Sequence, residues 1–174
     1  ILESQVTNGE LTIAKAPLTV TADPKSRAYG AIDPQFTATL SGFVPGEDLA
    51  NSGVTGATAF TNNALINSGV LGNPYKITPS VGTLQSGNYE FTNFVQGDLT
   101  ITKAGLTVKA DNASRVYGSE TAPVYTATIS GFATDETLAS SGVSGSPAFT
   151  TNALITSGVA GNPYKITPSI GTLA

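Results

Sequence analysis

The side chains that can act as base, acid or nucleophile are few in this chain of 174 residues, which has no histidine and no cysteine. A serine nucleophile would need lysine as its base. The lysines that recur at a fixed interval are Lys15 and Lys103, beside proline- or glycine-marked linkers, and Lys76 and Lys165, inside the strand-like sequence PYKITPS. A solvated lysine is the simpler reading of each. Paired carboxylates would suit glycoside hydrolysis if they flanked a cleft. Only Asp23 with Asp111 and Glu47 with Glu136 hold their places in both copies of a repeat, and small tandem modules rarely supply that cleft. In the pattern A-D-x-x-S-R-x-Y-G, Asp23 is expected to bond nearby backbone N–H groups in a turn or to pair with Arg27. Calcium at Asp23, Asp33 or Asp111 would want a D-x-D-x-D-G spacing, which is absent. So is the G-x-G-x-x-G phosphate loop. Tyr29-Gly30 and Tyr117-Gly118 suit a tyrosine closing a loop over the core, followed by a glycine at positive φ, better than a ligand-stacking ring. Lys103 or Lys165 could form an isopeptide bond with an asparagine. The sequence therefore assigns no catalytic residue, no cofactor-binding residue and no metal ligand.

What positions these residues is a repeat. GNPYKITPS stands at 72–80 and again at 161–169. KAPLTVTADPKSRAYG (15–30) lies over KAGLTVKADNASRVYG (103–118) at an offset of 88; one insertion makes it 89 from SGF (41–43 over 130–132) to GTL (82–84 over 171–173). A unit of about 87 residues is too long for a solenoid repeat, whose units of about 20–50 residues cannot bury their own apolar faces. Each copy can close a modest core, so two tandem modules are expected. The boundaries follow from the interruptions Lys15-Ala16-Pro17 and Lys103-Ala104-Gly105: residues 1–14 as the closing strand of an upstream repeat, 15–103 as repeat 1 and 104–174 as repeat 2. The seam has about three residues and no flexible tract, and is expected to be stiff. The second copy reaches Ala174 with no equivalent of NYEFTNFVQGDLTI (88–101), whereas VTNGELTI (6–13) looks like the end of one. Strand exchange follows as an expectation: residues 1–13 of one chain completing residues 104–174 of another.

Local patterns predict mainly β structure. Leu18, Val20 and Ala22 alternate with Thr19 and Thr21, and Phe36, Ala38 and Leu40 do the same, as Tyr125, Ala127 and Ile129 do in the second copy. Ala59-Phe60-Thr61 and Ala148-Phe149-Thr150 read as short strands. Tyr75 and Ile77 share a face of a strand fenced by Pro74 and Pro79, which predicts an edge. Tyr89 and Phe91, a Gln96-Gly97 turn, then Leu99 and Ile101 predict a hairpin. GEDLANSG and DETLASSG predict a helix of at most two turns, with Thr134 or Asp135 as N-cap and Gly142 as C′. L-x-x-S-G-V-x-G recurs at 49–56, 65–72, 138–145 and 154–161, its glycines expected at positive φ.

Composition bounds the partners. Charged residues make up 11%, against a usual figure of about 25%. A net charge of −4 with eight Lys+Arg argues against nucleic acid and anionic membranes. No run of 18 apolar residues exists, so no membrane insertion is expected. Regular apolar spacing argues against disorder. The chain start ILESQVTNGE lacks the features of a signal peptide and reads as a cut from something longer. A Thr/Ser/Gly/Asn-rich chain without Cys, Met, Trp or His suits a secreted bacterial protein.

LTITKAGLTVKADNASRVYG, YTATISGF and NYEFTNFVQGDLTI resemble the MBG-type repeat (YGX class) of bacterial cell-surface adhesins, over residues 11–174. The resemblance implies small β-grasp-like or mixed-β modules with one short helix each, an immunoglobulin-like β-sandwich being the alternative. It implies an extracellular location on the bacterial cell surface and no enzymatic activity. The expected function is a structural tandem repeat in the stalk of an adhesin, projecting a binding tip from the cell, with neighbouring repeats as partners. The alternative is a ligand-binding module recognising glycan, mucin or another surface.

Overall fold

The computed structural model describes residues 7–174. These divide into two compact units: one running to Arg27 and including Ile32–Thr102, the other comprising Ala28–Ala31 and Lys103–Ala174. The protein is mainly β, with no α-helix among the described residues.

The first unit is built from β1 (Ala16–Ala22), β2 (Lys25–Ala28), β3 (Ala38–Ser41), β4 (Ala59–Asn62), β5 (Tyr75–Ser80), β6 (Tyr89–Val95) and β7 (Gly97–Thr102). One sheet has the order β3-β1-β6, the other β2-β7-β5-β4. β1 pairs antiparallel with β3 and parallel with β6. The alternation along β1 is realised in full: Leu18, Val20 and Ala22 are buried. Ala22, Ile77 of β5 and Leu99 of β7 form the heart of the core, with Phe36, Phe60, Ala64 and Tyr75 packed on them. Phe36 and Phe60 meet edge-on, ring centroids 6.1 Å apart. A bulge explains the Y-x-F-x-x-F spacing of β6. Leu18 lies opposite Phe91 and Thr19 opposite Asn93, so Thr92 is skipped and Phe94 returns to the inward face.

Three expectations are corrected here. The Gln96-Gly97 hairpin does not form. β6 and β7 lie in different sheets, and the chain crosses between them at Gln96 alone. Alternation reports which face is buried but not which strand lies alongside, so a crossing strand and a hairpin read alike. Gly97 serves close approach instead of a turn: a Cβ there would collide with the carbonyl oxygen of Ala22. Second, β5 is not an edge, having β7 on one side and β4 on the other. Pro79 is tolerated because β7 pairs with β5 only at Tyr75, Lys76 and Ile77 and stops before it, leaving Pro79 opposite Phe60 of β4 alone. Third, the helix expected after Phe132 is a single turn closed by Ser141 N–H to Thr137 C=O at 2.9 Å. Asp135 has φ 66°, left-handed, where an N-cap needs extended backbone. In the first unit Asp48 Oδ1 instead accepts from the N–H groups of Ala50 and Asn51. The short helix of each unit is a 3-10 turn elsewhere, at Val70–Gly72 and Val159–Gly161.

The second unit contains β8 (Thr107–Ala110), β9 (Ala127–Ser130), β10 (Ala148–Thr151) and β11 (Ile166–Ser169), as two antiparallel pairs, β8-β9 and β10-β11. The pairs reproduce β1-β3 and β4-β5 residue for residue: Val108 faces Ile129 as Val20 faces Leu40, and Phe149 faces Pro168 as Phe60 faces Pro79. Ser114-Arg115, the counterpart of Ser26-Arg27 in β2, is not a strand. The difference is the absent neighbour: in the first unit β7 supplies the ladder that makes β2 a strand.

Candidate functional site

Each candidate side chain has a structural task or lies in the open. Asp23 accepts hydrogen bonds from the hydroxyls of Thr37 (2.6 Å) and Thr39 (2.8 Å), and Asp111 from Thr126 and Thr128, both at 2.8 Å. The aspartate thus clasps the next strand across the β1-β3 or β8-β9 pair; it does not pair with Arg27. That guanidinium, 6% exposed, bonds Asp33 Oδ1 through Nε at 2.7 Å and donates to the carbonyl of Leu65 at 2.6 Å. In the second copy Ala122 stands before Pro123 where Asp33 precedes Pro34, and Arg115 donates to the carbonyl of Leu154. Glu47 accepts from the buried hydroxyl of Tyr89 at 2.6 Å, fastening β6 to the turn after Phe43. Burial and then Glu47 hold that phenol above its ordinary value of 10.0. Glu136 sits in the equivalent turn, its N–H on the carbonyl of Ala133. Lys15 Nζ donates to the carbonyl of Ser86 at 2.7 Å, and Lys76 pairs with Asp98 at 2.6 Å. Lys103 and Lys165 are exposed, and among the described residues no lysine Nζ bonds an asparagine. Asp23, Asp33 and Asp111 join no metal-sized cluster among the described residues. Gly30 and Gly118 carry positive φ as expected. Tyr117, however, is 69% exposed and lines a groove instead of closing over a core. The recurring glycines also divide. Gly56 has φ 87°, whereas Gly72 has no positive φ and instead lies beneath the Tyr75 ring.

The threonine hydroxyls hold the carboxyls of Asp23 and Asp111 below the ordinary 3.8. A depressed folded value stabilises the fold above the unfolded value, and that contribution is lost as pH falls through the folded one. The double variant Asp23→Asn, Asp111→Asn is expected to melt lower than the parent at neutral pH, with the difference shrinking below pH 3.8. Thermal melts across the acid range check it. A gap that widens in acid refutes the assignment.

A further feature of the first unit is a seat for a strand. In the first unit β7 lies between β2 and β5, with Leu99 0% and Ile101 1% exposed. Asn73 locks it: its Nδ2 donates to the Ile101 carbonyl at 2.7 Å and its Oδ1 accepts the Ile101 N–H at 2.8 Å. Thr102 Oγ1 donates to the carbonyl of Arg27 at 3.3 Å. The second unit holds the same seat open as a groove of about 830 Å³ lined by Ala110, Arg115, Tyr125, Asn162, Tyr164 and Ile166 among others. Leu106, equivalent to the fully buried Leu18, is 37% exposed. The signal in the sequence was the asymmetry of the repeat, segment 88–101 being present once.

A family model described as MBG domain (YGX type) matches residues 18–100 and again residues 106–174. No curated protein and no solved structure matches the chain.

Proposed function

The chain belongs to the MBG domain (YGX type) family, carrying two tandem copies, and from that premise we propose that it is a structural repeat in the stalk of an extracellular adhesin on the bacterial cell surface. Its partners are the neighbouring repeats of the same polypeptide, and its role is mechanical, not enzymatic. The observation that carries this reading is the parallel pairing of β1 with β6 over six positions. A load applied at the start of β1 and at the end of β6 slides two parallel strands past each other. All their hydrogen bonds then resist together instead of opening one at a time. No helix of the described residues is long and apolar enough to cross a membrane.

Single-molecule pulling tests this directly, because the chain has no cysteine of its own. Handles on Lys15→Cys and Gln96→Cys load β1 against β6 in shear. Handles on Thr58→Cys and Val81→Cys open the antiparallel β4-β5 pair from one end. Rupture through 15 and 96 is expected at the higher force at equal loading rate; equal or lower force removes the mechanical reading. The exposed ring of Tyr117 beside the open groove favours a glycan-binding module as the second reading. Binding on a glycan array that is lost in Tyr117→Ala selects it.

A further inference from the structure

We propose that Asn112 is a glycan-attachment site, carrying a sugar in an N-glycosidic bond; this rests on the extracellular placement proposed above. Asn112-Ala113-Ser114 has the asparagine, the non-proline middle residue and the hydroxyl two places on that N-linked transfer reads. No other asparagine of the chain has Ser or Thr at that distance, and the counterpart in the first copy is Pro24-Lys25-Ser26. The structure leaves both recognition points open. Asn112, Ala113 and Ser114 are exposed, and neither the amide nor the hydroxyl makes a hydrogen bond among the described residues. Asparagines elsewhere are engaged in the fold. Asn62 holds Asp33, Asn63 and Asn152 accept the main-chain N–H groups of Lys76 and Lys165, and Asn73 holds Ile101.

The exposure is a property of the position in the module. Pro24 and Ser26, the counterparts of Asn112 and Ser114, are exposed in the first unit even though β7 runs alongside β2 there. A strand laid along this segment therefore leaves both positions open. The chain is fixed immediately before the site. The Asp111 N–H donates to the carbonyl of Thr126 at 2.9 Å, and its carboxylate accepts from the hydroxyls of Thr126 and Thr128, both at 2.8 Å. A sugar on Asn112 is thus rooted one residue beyond a clasped point of the β8-β9 pair. Residues 111–116 lie outside every strand, so a transferase can take hold of amide and hydroxyl together. In the reaction, Nδ2 of Asn112 attacks the anomeric carbon of a diphosphate-activated sugar. The bond from that carbon to the diphosphate oxygen breaks, and the diphosphate leaves with the electron pair. Nδ2 gives one proton to a base of the transferase, and nothing is oxidised or reduced. The attached glycan is bulky and solubilising, which suits a surface built from a chain with 11% charged residues.

The test is peptide mapping of the chain isolated from the cell that makes it. Trypsin cuts after Lys109 and Arg115 and releases Ala110–Arg115 with the site inside. The expected result is this peptide made heavier by a sugar, which a glycan-releasing amidase removes to leave aspartate at position 112. A single hexose indicates a nucleotide-carried donor and an oligosaccharide a lipid-carried one; either supports the site. Ser114→Ala, which leaves Asn112 in place, is expected to abolish the modification, and Ser114→Thr to retain it. Ser114 is exposed, so both variants fold as the parent does. The proposal is overturned by a peptide found only unmodified, by a sugar that the amidase leaves in place, or by occupancy of Asn112 that survives Ser114→Ala. An unmodified peptide has no bearing on the pulling experiment, so the two readings fail separately.

Discussion

Leu99→Ala unfolds or severely weakens the first unit, at a cost of about 2–5 kcal/mol, whereas Leu11→Ala in dilute solution changes its stability by less than about 0.5 kcal/mol. The two leucines occupy the same local sequence, Gly-acid-Leu-Thr-Ile. Leu99 is fully buried in a cluster with Ala22 and Ile77, on which Phe36, Phe60, Ala64 and Tyr75 pack, while Leu11 faces solvent. Truncating Leu99 removes its transfer free energy and leaves a cavity in the heart of the core. Domains of this kind have total stabilities of about 5–15 kcal/mol, so the loss is a large fraction. Amide exchange at β5 reads the first unit selectively. Equal effects of the two substitutions would mean that β7 does not bind the sheets together.

Asn73→Ala is expected to cost about 2–4 kcal/mol, more than its volume suggests. The amide makes hydrogen bonds of 2.7 and 2.8 Å to the carbonyl and N–H of Ile101, a residue 1% exposed. Its loss leaves two buried main-chain groups unsatisfied, each worth about 1–3 kcal/mol. The matching change Asn162→Ala removes a side chain that faces an open groove, and in dilute monomer it leaves the melting of the second unit unchanged. Chemical denaturation of each variant checks the contrast. A comparable loss from both would refute the lock at Asn73.

The local order of the fold was legible in the residues. The inward set Leu18, Val20 and Ala22, the shared face of Tyr75 and Ile77, and the two-module organisation follow from period-2 alternation and from the repeat. What escaped was pairing. Alternation around Gln96 is the same for a hairpin and for a strand that changes sheets, because both bury alternate residues. The edge assignment of β5 failed for a related reason: a proline excludes a neighbour only where that neighbour reaches, and β7 stops at Ile77. Asp23 was expected to find Arg27 or its own backbone. Its partners, Thr37 and Thr39, are brought to it by the β1-β3 register, which no spacing along the chain encodes. The strand seat was visible only as a missing length of sequence in the second copy.

The crossing at Gln96 has a bearing on biosynthesis. The last residues of a module, Tyr89–Val95 and Gly97–Thr102, complete both of its sheets, one strand lining β1 and the other wedged beside β5. A nascent polypeptide leaving a ribosome or a pore N-terminus first cannot seal either layer early. It must keep the preceding seventy-odd residues waiting, partly wetted, until this final ribbon emerges. At every moment of synthesis the advancing front of such an array is an unfinished module, and the apolar wall of that module is briefly open to any ribbon of the right spelling.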